Sequence, residues 1–229
     1  MIKLIIFDFD GVIVESVDVK SRAFASLFAG ESKESVCHIV EYHLSHGGIS
    51  RYDKFRYIYE YILHRQLTAE QFTYLCDAFS NLVLTAVIEA SFVKGAIEFI
   101  EQFHEQYALY IVSATPQDEL GTILNARGLG KYFRGYFGAS LPKPAAIRKI
   151  MTESKSSQTE TVFVGDASTD YNAASETGVH FIARCGLNYS FFDDVLCNKI
   201  SDLRELFDAI NYISNYETSR LVATNFVAE

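Results

Sequence analysis

The chain has few of the residues that build disulfide frameworks or zinc sites. Its 229 residues include four cysteines, which are widely spaced, form no Cys-x-x-Cys pair and have no histidine at zinc-finger spacing; they are Cys37, Cys76, Cys185 and Cys197. This spacing excludes a small disulfide-stapled fold and a structural zinc module. Reduced thiols in a cytoplasmic protein are the expected state of these residues.

An excess of basic charge is also missing. The chain has 20 Lys and Arg against 29 Asp and Glu, a net charge of −9. Nucleic acids and anionic membranes bind clustered cations, so we expect neither as a partner. No apolar run approaches the ~20 residues that cross a bilayer. The N-terminus has one lysine and a short apolar run that ends in acids, which is not a signal peptide. We therefore expect a cytoplasmic globular protein.

The sequence does contain apolar runs typical of strands buried on both faces. They are nearly continuous in Val, Ile, Leu and Phe and cover 3–8, 107–113, 161–166 and 180–183. The first three end in a polar residue. Stretches with helical spacing lie between or after them, at 95–106, 117–127 and 201–213. Alternation of this kind predicts an α/β fold with a Rossmann-like parallel sheet.

The segment 16–90 has a different pattern. It contains no convincing strand, and its apolar residues recur at steps of three and four, as in Tyr52, Phe55, Tyr59 and Ile62. We predict an all-helical cap over 16–90, inserted into an α/β catalytic core that comprises 1–15 and 91–229. The tail 214–229 has weak periodicity, and the sequence does not indicate its role.

Acidic residues gather where the predicted strands end. Asp8 and Asp10 follow the first run, and Asp166 and Asp170 follow the third. Because the carboxyl ends of parallel strands meet at one edge, these carboxylates are expected to converge, and like charges that converge require a cation. Ser113 at the end of the second run, with Lys143 further along the chain, would add a hydroxyl and an amine. Hard oxygen ligands with one amine suit Mg²⁺ and phosphoryl transfer.

The order of these residues resembles the haloacid dehalogenase-like hydrolase superfamily, in the helical-cap subgroup that includes phosphoglycolate phosphatases and β-phosphoglucomutases. The four matching motifs are Asp8-Phe9-Asp10-Gly11, the strand that ends in Ser113, Lys143 within Leu141-Pro142-Lys143-Pro144, and Gly165-Asp166-Ala167-Ser168-Thr169-Asp170. Each is weak alone, but together they span the chain to about residue 185. One departure is Glu15, where relatives often carry Asp.

The resemblance implies a role for each motif residue. Asp8 would be the nucleophile that forms an aspartyl-phosphate, and Asp10 the general acid and base. Mg²⁺ would be held by Asp8, Asp166 and the Asp10 backbone carbonyl. The remaining roles are phosphate binding by Ser113, Lys143 and the Ala114 N–H, and orientation of Asp166 or a metal-bound water by Asp170.

The cap carries weaker signals. Two glycines interrupt a helical pattern before Ser50, a candidate N-cap. One interpretation is a loop at Gly48 that dips over the active site, with Arg51 contacting a second anionic or polyol part of the substrate. The other is an ordinary turn with a solvated arginine.

Asp10 distinguishes between the activities of the superfamily. Relatives that act as dehalogenases or phosphonatases lack an acid two residues after the nucleophile, so Asp10 favours phosphomonoester chemistry. We expect a Mg²⁺-dependent phosphomonoesterase acting on a small phosphorylated metabolite. The alternative is a β-phosphoglucomutase-like sugar phosphate mutase, because the pattern from Gly48 to Arg51 is similar to a mutase cap loop. A response-regulator receiver domain is disfavoured, because in those domains the lysine follows all of the acids, whereas here Lys143 precedes Asp166 and Asp170. Substrate identity and oligomeric state stay open.

Overall fold

The computed structural model describes residues 1–186 and 192–226, with side chains to residue 216. In this part of the chain six parallel strands form one sheet in the order β3-β2-β1-β4-β5-β6. The strands are β1 (Leu4–Phe7), β2 (Ala108–Val112), β3 (Gly135–Phe137), β4 (Thr161–Gly165), β5 (His180–Arg184) and β6 (Asn198–Ile200). The predicted Rossmann-like parallel sheet is confirmed.

Helices connect the strands and cover the sheet. They are α1 (Val17–Leu27), α2 (Lys33–Ser45), α3 (Arg51–Tyr57), α4 (Ala69–Glu89), α5 (Ala96–Phe103), α6 (Gln117–Ala126), α7 (Lys143–Ser154), α8 (Ser168–Thr177) and α9 (Leu206–Phe226). A π-helical turn, Ile58–Ile62, continues α3. Short 3₁₀ turns precede β4 and α9.

The central strand shows why the runs are apolar throughout. Side chains alternate between the two faces of a strand. Ile5 and Phe7 therefore join the larger hydrophobic cluster, which extends into the cap, while Leu4 and Ile6 join the cluster under α7 and α8. All four are fully buried. Because both faces of the sheet are covered, neither face carries polar residues, and polar and apolar residues do not alternate along the strand.

Element boundaries differ in detail from the predictions. β1 ends at Phe7, so Asp8 follows the strand rather than closing it. Helix α7 begins at Lys143. The predicted helix 201–213 is a 3₁₀ turn followed by α9, which continues beyond residue 213 to Phe226. The strands β3 and β6 are additions that the sequence pattern did not predict.

The segment between β1 and β2 begins with four helices, as expected for the cap. Phe24, Phe55 and Phe79 pack together at its centre, with ring centroids 4.8–6.0 Å apart. We keep residues 16 and 90 as the proposed boundaries of this domain.

Helix α4 is the most apolar element of the cap. It meets the length and composition criteria of a membrane span, with 21 residues and a mean hydropathy of 1.2, criteria that core helices of soluble proteins also meet. Its buried residues recur at every fourth position, from Leu75 to Val87, and the capping box of Thr68 and Gln71 starts it. This helix therefore presents a stripe of apolar residues to the core of the cap.

The strand order places a candidate site. β1 lies between β2 and β4. The next two strands along the chain, β2 and β3, lie on one side of β1, and the later strands β4, β5 and β6 lie on the other side. In open parallel sheets, ligands bind beyond the carboxyl ends of strands at such a switch. Phe7 is in register with Ile111 and Val164, so the residues that follow these three meet at one edge.

Removing a large core side chain from this sheet should be costly. We expect Phe163→Ala on β4, where the ring is fully buried, to lower the free energy of unfolding by about 3–5 kcal/mol. The control is Phe207→Ala on α9, which is 37% exposed and should cost about 1 kcal/mol or less. Urea titrations would measure both. Equal losses would contradict this description of the core.

Candidate active site

The first motif forms a tight turn directly after β1. The Phe9 carbonyl accepts hydrogen bonds from the N–H groups of Ile13 and Val14, at 2.9 and 3.2 Å. Gly11 has a φ of +77°, and a Cβ there would lie 2.1 Å from Asp166 Oδ2. The motif therefore requires glycine, both for its backbone conformation and because Asp166 approaches so closely.

Three carboxylates converge at this edge of the sheet. Oxygens of Asp8, Asp166 and Asp170 lie within 4.8 Å of one another. Burial raises the pKa of Asp8 to about 7; Lys143 opposes this rise, and the neighbouring acids add to it. Burial and the Asp8 charge raise the pKa of Asp166 well above its usual value. The cluster has more negative charge than the protein neutralises, which is the condition of a cation site.

Lys143 connects two of these acids. Its amine lies 3.2 Å from Asp8 Oδ2 and donates to Asp170. Although burial opposes it, the charges of Asp170 and Asp8 raise the pKa of Lys143, so the amine stays protonated.

Asp170 has contacts other than those we predicted for it. It is fully buried, pairs with Lys143 and accepts the Ala167 N–H at 3.1 Å. Among the described residues no hydrogen bond joins it to Asp166. Gly165 leaves the room for it, since a Cβ there would lie 2.3 Å from that of Asp170. Asp170 therefore contacts Lys143 in this structure, and its role in orienting Asp166 or a metal-bound water stays a prediction.

Asp10 occupies a different environment from Asp8. Its Oδ1 accepts from the Ser16 hydroxyl at 2.6 Å, and its Oδ2 accepts from Thr115 at 3.1 Å and from the Lys20 amine. Burial opposes ionisation, but the Lys20 charge and these three hydrogen bonds outweigh it and lower the pKa of Asp10. Two neighbouring acids thus have pKa values shifted in opposite directions, a pattern found where carboxylates have different tasks.

The second motif lies beside the first. Ser113 is buried, and its Oγ accepts the Thr115 N–H at 3.1 Å. Its own N–H donates to the Phe137 carbonyl, which fixes it at the end of β2. Ala114 follows it and lines the cavity. The two residues thus lie at the same edge as the acids.

A cavity of about 710 Å³ opens between the core and the cap. Asp8, Asp10 and Asp166 line its core side. Gly48 lines the cap side with a φ of +71°, and a Cβ there would lie 1.9 Å from Thr169 Oγ1 and 3.2 Å from Lys143 Nζ. The loop at Gly48 therefore lies directly over the acidic edge, as one of the two interpretations of the sequence predicted.

Arg51 lines the same cavity, but its guanidinium is already paired. It donates to both carboxylate oxygens of Glu119 on α6, at 2.6 and 2.9 Å, and to Ser80 at 2.6 Å. The side chain is 4% exposed, and its guanidinium lies over the Phe79 ring. The sequence suggested a substrate contact or a solvated turn. The structure instead places a buried ion pair between cap and core.

Glu15, the departure from the family pattern, also has a partner. It pairs with Arg184 at 2.6 Å, and the same guanidinium donates to the Gly11 carbonyl at 3.0 Å. The longer acid thereby ties the first motif to the end of β5.

Several cavity residues were not predicted from the sequence. They are Lys20 and Phe24 on α1, His43 on α2, Lys54 on α3 and Phe79 on α4. Thr115, which donates to Asp10, was also missed, and its only sequence signal is its position two residues after Ser113. The other five lie on amphipathic helices. The sequence pattern of such a helix does not distinguish a side chain that faces the cavity from one that faces solvent or the core of the cap.

Comparison with known proteins agrees with the predicted family. The model of haloacid dehalogenase-like hydrolases matches residues 5–184. The chain is similar to a phosphoglycolate phosphatase from Pseudomonas putida, with 23% identity over 207 residues, 82% of this chain and 70% of the relative. It is also 28% identical to a phosphoglycolate phosphatase from Pseudomonas fluorescens over 103 residues. That match spans 42% of this chain and only 37% of the relative's length.

A solved structure shares the fold over nearly the whole chain. It is a β-phosphoglucomutase from Clostridium difficile, with a TM-score of 0.75, 16% identity and coverage of 96% of this chain and 100% of the other. At this level of identity the likeness shows the fold alone.

The ion pair between cap and core should be costly to break. We expect Glu119→Gln to lower the free energy of unfolding by about 3 kcal/mol, because Arg51 would keep a buried charge without its full counter-ion. The matched control is Glu176→Gln, whose pair with Arg148 is 51% and 58% exposed and should be worth at most about 1 kcal/mol. Equal small effects in denaturant titrations would contradict a buried pair.

Proposed function

Because this chain belongs to the haloacid dehalogenase-like hydrolase family, we propose that its acidic edge hydrolyses the phosphomonoester of a small metabolite through an aspartyl-phosphate. The observation that carries the proposal is the convergence of Asp8, Asp166 and Asp170 within 4.8 Å, with the Lys143 amine 3.2 Å from Asp8. A carboxylate beside a fixed ammonium at the end of a strand is suited to attack a phosphoryl group that the same ammonium helps to bind. A cytoplasmic location is part of the same proposal.

The donor set fits a magnesium ion. Asp8 and Asp166 offer carboxylate oxygens and Asp10 its backbone carbonyl, all of them hard ligands of the type Mg²⁺ prefers. Burial and, after it, repulsion from the neighbouring acids raise the pKa values of Asp8 and Asp166, and a divalent cation would favour their ionised forms. When bound, the ion neutralises negative charge on the transferring phosphoryl group.

The proposed first step is attack by Asp8. A carboxylate oxygen of Asp8 forms a bond to phosphorus, the bond from phosphorus to the ester oxygen breaks, and the departing oxygen takes a proton from Asp10. Because the lowered pKa leaves Asp10 ionised in the free protein, Asp10 must first bind this proton from water when the substrate binds. Lys143 and Ser113 hold the phosphoryl oxygens during this transfer. The Phe9 N–H donates to Asp8 Oδ1 at 2.8 Å and fixes the orientation of the carboxylate.

In the second step water attacks phosphorus and releases Asp8. Asp10 accepts a proton from the water as the bond from Asp8 to phosphorus breaks, and inorganic phosphate leaves. Ser16 and Thr115 hold the Asp10 carboxylate, and Lys20 favours its ionised form, which is the form that acts as a base.

The environment of Arg51 removes the cap-loop feature of the sequence that favoured a sugar phosphate mutase. A sugar phosphate mutase must also hold a second phosphate, and Arg51 was the cap cation expected to do so. Its guanidinium donates instead to Glu119 and Ser80. The names of the relatives point the same way, towards phosphoglycolate or a similarly small substrate.

We expect Asp8→Asn to lower kcat at least ~10³-fold while the protein stays folded, because the nucleophile is lost but its volume is kept. Steady-state hydrolysis of p-nitrophenyl phosphate measures the loss, and circular dichroism checks the fold. Asp208→Asn on α9 serves as the control, since it removes an exposed acid away from the cavity. Undiminished turnover by Asp8→Asn would assign the nucleophile elsewhere.

Metal removal provides a separate test. EDTA followed by gel filtration should suppress hydrolysis, and Mg²⁺ should restore it in a saturable manner, because the acids repel one another and the phosphate without a cation. Fully active protein with no divalent ion detectable by mass spectrometry would contradict a magnesium enzyme.

A further inference from the structure

A second buried lysine lies on the cap side of the cavity. Lys54 on α3 is 3% exposed and lines the space that Asp8, Asp10 and Asp166 line from the core. The steps proposed above do not use it. Buried lysines are rare in proteins unless a carboxylate compensates their charge.

The partners of Lys54 do not compensate its charge. Its amine contacts Nδ1 of His43 at 2.8 Å and donates to the His43 carbonyl at 3.1 Å. Among the described residues no carboxylate forms an ion pair with it. An ammonium carries three N–H donors, so these contacts leave one donor and the whole positive charge for another group.

His43 adds a second unsatisfied donor. Because its Nδ1 accepts from Lys54, a neutral ring carries its proton on Nε2, and that buried nitrogen has no hydrogen-bond partner among the described residues. Burial and the adjacent Lys54 charge lower the pKa of His43 strongly, which keeps the ring neutral. The Phe24 ring packs 4.6 Å away and fixes the plane of the imidazole.

The electrostatics on this side of the cavity favour an anion. Burial and, after it, the nearby Lys20 charge lower the pKa of Lys54 to about 7, although the charges of Asp10 and Asp166 oppose them. Lys143 shows the opposite behaviour, because Asp170 and Asp8 compensate it. Lys54 is thus a desolvated amine that lacks a counter-ion, next to the space where the leaving part of a substrate would lie.

We propose that Lys54 is a specificity-determining residue that binds an anionic oxygen group on the leaving part of the substrate. The inference rests on the proposed function, because it takes the phosphoryl group to be at Asp8. The group is a carboxylate or a second phosphate, since both supply the charge and the acceptor oxygens that the amine lacks. His43 is a positioning residue that fixes the amine through Nδ1.

A purely structural role would give a different result. If Lys54 only joined α2 to α3, its replacement would affect all phosphomonoesters alike through a disturbed cap. A role in specificity separates substrates by the charge of their leaving part, and that separation is what the experiment measures.

The experiment compares matched pairs of substrates in wild type and in Lys54→Met. Phosphoglycolate is set against ethyl phosphate for the carboxylate, and a sugar bisphosphate against the corresponding monophosphate for a second phosphate. We expect kcat/KM for the preferred anionic substrate to fall ~10–100-fold, the value of a hydrogen bond between charged groups. For the neutral partner it should fall only about three-fold, from the weaker potential at the phosphate.

Control variants separate folding from recognition. Lys33→Met removes an exposed cap lysine at the start of α2 and should leave kcat/KM unchanged for both members of each substrate pair. If Lys54→Met does not fold by circular dichroism, Lys54→Gln is measured instead. Equal losses on both members of a pair, or no preference of the wild type for any anionic substrate, would overturn the proposal.

Binding measurements distinguish a failure of this inference from a failure of the proposed function. Calorimetry on Asp8→Asn compares the Kd of phosphoglycolate and ethyl phosphate with and without Lys54→Met, and it needs no turnover. A preference for the anion that disappears with Lys54→Met supports the inference even if hydrolysis is absent. Hydrolysis with no such preference retains the function and rejects the role of Lys54.

Discussion

The repulsion between buried carboxylates is the constraint on which the rest of this structure depends. Asp8, Asp166 and Asp170 meet at the carboxyl ends of adjacent strands, and Lys143 contacts two of them. Burial raises the pKa values of Asp8 and Asp166, and the neighbouring acids add to the rise because one ammonium cannot balance three carboxylates. A divalent cation would offset the two negative charges that Lys143 leaves unbalanced, which is why we propose a cation at this site.

The sheet and the acidic edge were predictable because their signals are local. Runs such as the one before Asp8 are continuously apolar, and two of them end in an acid that can be recognised without knowledge of the cap. The short strands β3 and β6 were missed, because three residues carry no readable period. The strand at β1 was predicted one residue too long at each end.

The residues that were missed depend on packing between cap and core. The partner of Arg51 is Glu119, 68 positions away, and no feature of either sequence neighbourhood identifies the pair. Lys20 and Lys54 lie on helix faces whose orientation only the folded cap determines. The same packing pairs Arg51 with Glu119, so its guanidinium is not free to bind a substrate. Among the described residues it leaves Lys54 without a carboxylate partner. We therefore infer that specificity depends on contacts between helices rather than on the sequence motifs.

The most direct measurement is a crystal structure grown with Mg²⁺ and beryllium fluoride, an analogue of a phosphoryl group on a carboxylate. If the account is right, the fluoride complex lies on Asp8 with Lys143 within hydrogen-bond distance, and Mg²⁺ lies between Asp8 and Asp166. Density for the metal or the fluoride complex at any other carboxylate, with Asp8 unmodified, would contradict it.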